Sequence, residues 1–256
     1  MIRRLAERLS RGIVLRRRLP ARFKRLPLYV TPEASLRYWR SMSQVDPMIY
    51  DMAAELVKPG SVVWDVGANV GLFSFCAAAL AGPSGFVLAV EPDLWLANLV
   101  SRSSQRLTTE RYECSRVAVL CAAISDSFRV SELQIAARER ASNYLREASG
   151  STQTGGPRRI QPTICMTLDS LLDRFPAPSV LKIDTEAHEV AVLRGAQRLL
   201  HSARPAIWCE VLPENAEDVT GLFHTADYEL YGAQTQPHPP IKRAWFHTLA
   251  LPSQAA

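Results

Sequence analysis

The sequence has no hydrophobic run long enough to cross a lipid bilayer. None of its apolar stretches approaches the roughly 20 residues that a membrane-spanning helix requires. The apolar run at residues 12–15 is also far too short for the core of a secretory signal peptide. We therefore expect a soluble protein.

The chain also lacks the cysteine spacing of metal sites. Its five cysteines form no Cys-x-x-Cys pair, and three of them lie in apolar stretches where a thiol packs as a small hydrophobic side chain. These positions favour reduced thiols inside the core, and hence a cytoplasmic protein without a zinc site.

A net positive charge is missing from most of the chain, although the whole sequence carries +5. Residues 1–26 contain ten arginines and lysines against one glutamate, a local charge of +9 that leaves −4 for residues 27–256. The basic character therefore belongs to an N-terminal arm. A body with this balance does not support a nucleic-acid-binding surface on the catalytic domain.

The arm has the pattern of a cationic amphipathic helix. Its apolar residues fall at spacings of three and four with arginines between them: Ile2, Leu5, Leu9 and Ile13. Such a helix can lie on an anionic membrane surface or dock onto a partner protein. The alternative, which we favour, is a helix that is solvated or packed on the body.

The remaining chain divides into a helical cap and a catalytic domain. Pro20 and Pro27 mark a break after the arm at 1–26. Helical spacing at 32–40 and 50–57 predicts a cap over residues 27–60, and residues 61–256 form the domain that follows.

Apolar strands and helices alternate through this domain. The apolar runs predict strands at 62–66, 86–90, 117–124, 130–135, 180–183, 206–209, 228–231 and 246–251, with helices from the first strand to about residue 80, at 94–106 and at 187–200. This alternation indicates an α/β fold with a mostly parallel sheet covered by helices on both faces. Polar residues 136–160 predict a mobile loop or lid beside the site.

The first of these strands opens into a glycine-spaced turn. Residues 62–71 read Val-Val-Trp-Asp-Val-Gly-Ala-Asn-Val-Gly, which differs from the Gly-x-Gly-x-x-Gly of dinucleotide sites. Gly67 and Gly71 remove side chains where the backbone approaches a ligand. Because the early glycine pair that admits a pyrophosphate is missing, the turn favours a phosphate-free nucleoside cofactor, S-adenosylmethionine.

Five successive strands end in an acid: Asp65, Glu91, Asp126, Asp184 and Glu210. The carboxyl ends of parallel strands line one edge of a sheet, where ligands bind. A row of carboxylates there suits a cationic ligand rich in hydroxyl groups. Glu91 follows Gly71 by 20 residues, the interval at which an acid accepts hydrogen bonds from ribose hydroxyls.

A second dense cluster covers residues 182–189. Lys182 interrupts an apolar strand and shares a strand face with Asp184, which predicts an ion pair. Asp184 and Glu186 can orient a substrate hydroxyl, and the imidazole of His188 can take its proton. In the alternative interpretation Glu186 and Glu189 compensate the helix dipole as first-turn acids, and His188 is a surface residue. Asp184, Glu186 and Glu210 could also hold a divalent metal, without a clear motif.

With both clusters in view, the sequence resembles the FkbM-type family of S-adenosylmethionine-dependent methyltransferases. The resemblance spans roughly residues 30–252 and rests most specifically on Leu-Lys-Ile-Asp-Thr-Glu-Ala-His-Glu at 181–189, with Val-Leu-Arg-Gly-Ala at 192–196 and the glycine turn. It implies a Rossmann-like class I fold with a seven-stranded, mostly parallel sheet. It also implies methyl transfer to a hydroxyl of a sugar, glycan or secondary metabolite.

The resemblance also implies roles for single residues. The methionine part of the cofactor would be surrounded by Asp65, Gly67, Ala68, Asn69 and Gly71, the ribose by Glu91, the adenine by Ser125 and Asp126, and the transferred methyl would face Lys182, Asp184, Glu186 and His188. The sequence departs from the family at Ala187, where glycine is common. Alanine there costs about 1 kcal/mol if the position takes a positive φ.

Two other function classes stay open from the sequence. A nucleotide-dependent oxidoreductase can use a similar fold, but the missing Gly-x-Gly-x-x-Gly disfavours it. The other class is a cofactor-binding module that has lost catalysis and is tethered through its basic arm to a membrane or carrier protein. Ala187 is the one sequence feature that favours it.

Overall fold

Two sheets and a short hairpin form the framework of the protein. A computed structural model describes residues 7, 9–138, 140–148 and 156–253. The strands in these residues are β1 (Leu15–Arg18), β2 (Pro27–Val30), β3 (Val62–Val66), β4 (Phe86–Val90), β5 (Arg116–Leu120), β6 (Ala123–Ile124), β7 (Arg129–Ala136), β8 (Tyr144–Leu145), β9 (Pro157–Met166), β10 (Val180–Ile183), β11 (Ala206–Glu210), β12 (Tyr228–Gly232) and β13 (His247–Pro252).

Helices connect most strands of the larger sheet. They are α1 (Pro47–Leu56), α2 (Leu72–Ala81), α3 (Leu94–Thr109), α4 (Leu168–Leu171), α5 (Glu189–Arg194), α6 (Gln197–Ser202) and α7 (Ala216–Thr225). Single 3-10 turns lie at Ala21–Phe23, Leu36–Trp39, Met42–Gln44, Arg140–Ser142 and Pro213–Asn215. Asp46 and Asp93 cap α1 and α3 by accepting hydrogen bonds from first-turn amides. None of the described helices is long and apolar enough to cross a membrane.

The larger sheet has seven strands in the order β5-β4-β3-β10-β11-β13-β12. Its pairs are parallel except those of β13, which runs antiparallel to both β11 and β12. Alternate residues of β3 enter different cores, Val63 with α1, α2 and α3 and Trp64 with α4 to α7. The predicted seven-stranded, mostly parallel sheet with helices on both faces is confirmed.

The order of strands reverses beside β3. The chain moves outward from β3 through β4 to β5 and then returns to place β10 on the other side of β3. Asp65 pairs in register with Lys182, and Val66 with Ile183. The two predicted clusters therefore leave the sheet side by side at the topological switch point, where ligands bind in open parallel sheets.

A second sheet of four strands, in the order β6-β9-β7-β8, is inserted between β5 and β10. The predicted single strand at 117–124 is wrong, because the chain leaves the larger sheet after Leu120 and Ala123 pairs with Cys165 of β9. The predicted loop at 136–160 is also wrong over β8 and the start of β9, while 149–155 lies outside the described residues. Exposed and buried residues alternate along much of β9, so its composition looks polar.

The N-terminal region contains a hairpin that the sequence analysis did not predict. β1 and β2 pair antiparallel, and Phe23, Leu26 and Leu28 are fully buried in the core. β1 lies in the predicted arm at 1–26 and β2 in the predicted cap at 27–60. The division into arm and cap stays a prediction. Its arginines contact acids of the body, as in the pairs Arg16–Glu110 at 2.8 Å and Arg22–Asp51 at 3.0 Å. Of the predicted helix, Ile2 and Leu5 lie outside the described residues.

The predicted helix at 187–200 is broken into α5 and α6. An ideal Cβ on Gly195 would lie 2.1 Å from the carbonyl oxygen of Ser125, so the chain passes the second sheet at backbone contact here. The amide of Asp169 also donates to the carbonyl of Gly195 at 3.0 Å. This contact between distant segments ends α5 at a point that helical periodicity does not indicate.

Candidate active site

A cavity of about 290 Å³ lies at the switch point, beyond the carboxyl ends of β3, β4 and β10. Its lining combines both predicted clusters with the second sheet, and includes Gly67, Ala68, Asn69, Glu91, Lys182, Asp184, Thr185, Glu186, His188 and Glu210, with Leu133, Arg140, Asn143, Tyr144 and Leu145 opposite. Eight of the twelve predicted site residues therefore line one cavity. Asp65, Gly71, Ser125 and Asp126 do not.

Gly67 allows the two strand exits to touch. Its φ is +77°, and an ideal Cβ would lie 1.8 Å from the carbonyl oxygen of Asp184. We expected this glycine to make room for a cofactor, but the structure shows that it first makes room for the neighbouring strand. Gly71, also with positive φ, starts α2 and packs on Phe75 instead of lining the cavity.

Lys182 lies between two carboxylates under the floor of the cavity. Its Nζ is 3.0 Å from Asp184 Oδ2 and 3.4 Å from Asp65 Oδ1. Burial alone would lower the pKa of Lys182, but the charges of Asp184 and Asp65 outweigh it and raise the pKa. Lys182 is therefore a fixed cation that orients Asp184, and Asp65, which also accepts from Ser74, is its buried counter-ion.

Glu91 is a buried carboxyl at the exit of β4. It accepts hydrogen bonds from the amides of Asn69 at 2.7 Å and Asp93 at 2.9 Å. Burial raises the pKa of Glu91 to about 8, helped by the charge of Asp93. The residue is within the cavity lining, as a role at the ribose requires, and that role stays a prediction.

Ser125, which we expected near the adenine, and His188, which we expected near the transferred methyl, are in contact. Ser125 Oγ lies 2.9 Å from His188 Nε2. Burial lowers the pKa of His188, and the charge of Arg129 lowers it further, so the ring is neutral at pH 7. Asp126 turns away from the cavity to pair with Arg129 at 2.7 Å. The structure therefore leaves Asp126 outside the cavity lining, and its role at the adenine stays a prediction.

Glu210 is a site residue that the sequence marked as one of the five strand-end acids and as a possible metal ligand. It lines the cavity beside Asp184 and Glu186. Burial and then the charge of Asp184 raise the pKa of Glu210 to about 9, although Lys182 opposes the shift. Within the part of the chain that the structure describes, no group of three or more His, Cys, Asp or Glu side chains could hold a metal ion.

Arg140 was assigned to a mobile loop, but it is held in the cavity wall. Its guanidinium forms two hydrogen bonds with Asp93, at 2.6 and 2.8 Å, and one with Glu33 at 3.2 Å. It also lies 4.6 Å from the ring centre of Trp95. These contacts attach the second sheet to Asp93, the N-cap residue of α3, and to Glu33 in the N-terminal region. No local sequence pattern predicts them, because Arg140 is distant in sequence from both partners.

Ala187 adopts the conformation that favours glycine. Its φ is +58°, which places backbone strain in the turn after β10. This is the case in which alanine costs about 1 kcal/mol relative to glycine. The alternative of a module without catalysis stays open.

Two buried polar atoms in the cavity lining have no hydrogen-bond partner within the described structure. They are Asn69 Oδ1 on the β3 turn and Thr185 Oγ1 on the β10 turn. Buried polar atoms are normally satisfied by protein or ordered water, so these two are open to a ligand that brings a donor. Together with the carboxyl of Glu91 they fit a nucleoside that carries an amine and hydroxyl groups, as S-adenosylmethionine does.

The chain is similar to proteins of known family. A family model described as the methyltransferase FkbM domain matches residues 65–231. The methyltransferase FkbM from Methylobacillus flagellatus KT aligns at 16% identity and a TM-score of 0.48, over 79% of this chain and 50% of its own. This chain thus spans about half of that protein.

Two further solved structures align over more of their own length. They are an S-adenosylmethionine-dependent O-methyltransferase from Thermotoga maritima (14% identity, TM-score 0.46, 90% of this chain and 75% of that one) and precorrin-6y C5,15-methyltransferase from Geobacter metallireducens GS-15 (12% identity, TM-score 0.47, 80% and 86%). No functionally curated protein matches the sequence.

Proposed function

Because this chain belongs to the FkbM family of S-adenosylmethionine-dependent methyltransferases, we propose that it transfers the cofactor's methyl group to a hydroxyl oxygen of a small molecule. The observation that carries the proposal is the contact between the exits of β3 and β10 around one cavity. The β3 exit brings Asn69 and the β10 exit brings Asp184 and Glu186 to the same space.

In this proposal the cofactor is held by residues of the turns after β3 and β10 and by the exit of β4. Asn69 Oδ1 and Thr185 Oγ1 would accept hydrogen bonds from the amino acid part of the cofactor, and Glu91 would hold the ribose hydroxyls. His188, fixed by Ser125, would contribute to the wall of the nucleoside part. When bound, the cofactor supplies a methyl group that leaves sulfur as the acceptor oxygen attacks it, so the acceptor's proton must pass to the protein.

Asp184 and Glu186 are the groups best suited to take that proton. Lys182 stays charged between its two carboxylates and holds Asp184 by one oxygen, which leaves the other oxygen for the acceptor hydroxyl. Glu210 carries its own proton at neutral pH because its pKa is about 9. His188 has its Nε2 engaged by Ser125, so the contacts favour a carboxylate over the imidazole.

The direct test uses S-adenosylmethionine labelled with ¹³C in the methyl group and a panel of hydroxyl compounds. We expect the label in a methoxy resonance, with S-adenosylhomocysteine released in equal amount. Label on nitrogen or carbon only would contradict O-methylation. Parallel calorimetric titration with NAD addresses the oxidoreductase alternative, since binding of NAD in place of S-adenosylmethionine would contradict the proposed cofactor.

The charge balance of the chain and the ion pairs of its N-terminal arm suggest which partners it binds. We propose a small-molecule acceptor and no nucleic acid, because the body has a negative balance of charge. The pairs of Arg16 and Arg22 with acids of the body support packing of the arm on the protein over contact with a membrane or partner. Sedimentation with anionic lipid vesicles, in which we expect no binding, tests this point.

A further inference from the structure

The amino acid end of S-adenosylmethionine carries two groups of opposite charge, an ammonium group and a carboxylate. The acceptor atoms Asn69 Oδ1 and Thr185 Oγ1 suit the ammonium group, which only donates hydrogen bonds. The carboxylate only accepts them, and the donors that bind a carboxylate most strongly are cationic side chains. The proposed cofactor site therefore also needs a cation for the carboxylate.

Three arginine and lysine side chains among the described residues line the cavity at the switch point, which we call the first cavity: Arg37, Arg140 and Lys182. Lys182 is 3% exposed and lies between two carboxylates of the protein. Arg140 forms three hydrogen bonds with two buried acids. Both side chains are therefore already engaged in neutralising acids of the fold.

Arg37 has the loosest contact with an acid of these three cations. Its Nη1 lies 3.5 Å from Asp46 Oδ2, beyond hydrogen-bond distance, and its side chain is 60% exposed. A guanidinium carries several N–H donors in one plane, which match the two oxygens of a carboxylate. The contact with Asp46 therefore leaves donors of Arg37 for a second carboxylate.

A short turn of the chain holds the backbone of Arg37 beside the first cavity. Ser35 caps the 3-10 turn Leu36–Trp39, because its Oγ accepts a hydrogen bond from the amide of Arg37 at 3.3 Å. The next residue, Tyr38, is 5% exposed and packs in the core while also lining the cavity. The turn is thus anchored on both sides of Arg37.

The position of Arg37 along the edge of the sheet fits the amino acid end of the cofactor. Arg37 lines both the first cavity and a second one of about 820 Å³, which contacts the sheet at Trp208 and Glu210 of β11 and at β13. Arg37 therefore lies at the β11 side of the first cavity. Glu91, the proposed ribose ligand, ends the strand run on the opposite side of β3, and Asn69 lies between them.

We propose that Arg37 binds the carboxylate of S-adenosylmethionine and thereby fixes the amino acid end of the cofactor at the junction of the two cavities. The inference rests on the proposed function, because it takes the first cavity as the cofactor site. The charge of Arg37 also offsets the repulsion that the carboxylate meets from acids of the lining such as Asp184 and Glu186. The 3-10 turn before α1 is then part of the cofactor site, which neither sequence cluster indicates.

The test compares two ligands that differ in the carboxylate. S-adenosylhomocysteine carries it, whereas S-adenosyl-3-thiopropylamine keeps the adenosine, the sulfur and the amine but has no carboxylate. In calorimetric titrations of the full chain, we expect the wild type to bind S-adenosylhomocysteine at least about tenfold more tightly, a difference of about 1.4 kcal/mol. Arg37→Gln should lose this preference. Its affinity for S-adenosylhomocysteine should fall about tenfold, while the amine, itself a cation, should bind at least as tightly as it does to the wild type.

Arg40→Gln is the matched control for the loss of one positive charge. Arg40 is an exposed arginine at the end of the same turn, and it lies outside the linings that the structure describes for both cavities. This variant should keep the wild-type preference for S-adenosylhomocysteine. Unchanged binding of the amine by Arg37→Gln also shows that the variant is folded and that its nucleoside site is intact.

Several results would overturn the inference and leave the proposed function standing. They are a wild type without preference for S-adenosylhomocysteine, an unchanged preference in Arg37→Gln, and the same loss in Arg40→Gln as in Arg37→Gln. Equal weakening of both ligands by Arg37→Gln would also overturn it, since Arg37 would then support the shape of the site instead of binding the carboxylate. Failure of the wild type to bind S-adenosylhomocysteine would overturn the proposed function and this inference with it.

Discussion

The carbonyl oxygen of Asp184 occupies the place that a side chain at Gly67 would need. An ideal Cβ at Gly67 would approach this oxygen to 1.8 Å, a distance that real contacts essentially never show. The turn after β3 and the turn after β10 are therefore interlocked through their backbones. The geometry of the cavity depends on this contact, since it fixes Asn69 of one turn relative to Asp184 and Thr185 of the other.

Gly67→Ala should separate the two turns. Alanine at positive φ costs about 1–2 kcal/mol of backbone strain, and the overlap with Asp184 adds to that cost. We expect a loss of more than about 2 kcal/mol in the free energy of unfolding and a large loss of S-adenosylhomocysteine affinity. Gly60→Ala is the control, because Gly60 also has positive φ but its nearest neighbour would lie at 3.7 Å. Equal losses in the two variants would contradict the interlock.

Ala187→Gly should stabilise the protein. Relief of the strain at φ +58° outweighs the added entropy of the unfolded chain, for a net gain of about 0.5–1 kcal/mol in urea denaturation. Ala191→Gly, in the ordinary helical backbone of α5, should instead lose about 1 kcal/mol. A destabilised Ala187→Gly would show that the turn gains nothing from glycine.

Glu210 should make the stability of the free protein fall as pH rises. The folded state holds a proton on Glu210 up to pH about 9, because burial and Asp184 raise its pKa, whereas the unfolded state releases it near about pH 4.3. Between about pH 5 and 8 the free energy of unfolding should therefore fall by up to about 1.4 kcal/mol per pH unit, and by less where solvent reaches the carboxyl.

Glu210→Gln removes the titrating group, so its free energy of unfolding should decline less steeply over that range. Urea unfolding at a series of pH values gives the slope. Glu214→Gln, on the exposed 3-10 turn that follows, is the control and should keep the wild-type slope. Parallel curves for Glu210→Gln and the wild type would contradict a protonated Glu210 in the folded protein.

Arg140→Ala should loosen the wall formed by the second sheet. It leaves Asp93 buried without its bidentate partner, a change that typically costs about 3–5 kcal/mol of stability. Arg146→Ala removes an exposed arginine paired with Glu132, worth about 1 kcal/mol or less. Urea denaturation compares the two variants, and a similar small effect of both would mean that the Asp93 contacts do not hold the wall.

Apart from the end of β5, the strands of the larger sheet could be predicted to within a residue, because buried parallel strands are continuous apolar runs. The pairing of Ser125 with His188 could not, since it depends on how the second sheet folds back. β9 of that sheet mixes exposed and buried residues, so no continuous apolar run marks it, and Arg129 of β7 pairs with Cys165 of β9, far along the chain. The place of Arg140 in the cavity wall could not be predicted either, because its partners Asp93 and Glu33 are distant in sequence.

The most direct test of the cofactor site is calorimetric titration of S-adenosylhomocysteine into the wild type and Asn69→Ala, with Asn98→Ala, at an exposed position of α3 outside the cavity lining, as the control. We expect one molecule bound per chain in the wild type and in Asn98→Ala. Loss of the unpaired Oδ1 should weaken binding by Asn69→Ala at least tenfold, or about 1.4 kcal/mol. The absence of binding heat in the wild type, or equal affinity in Asn69→Ala, would contradict a cofactor site between the two strand exits.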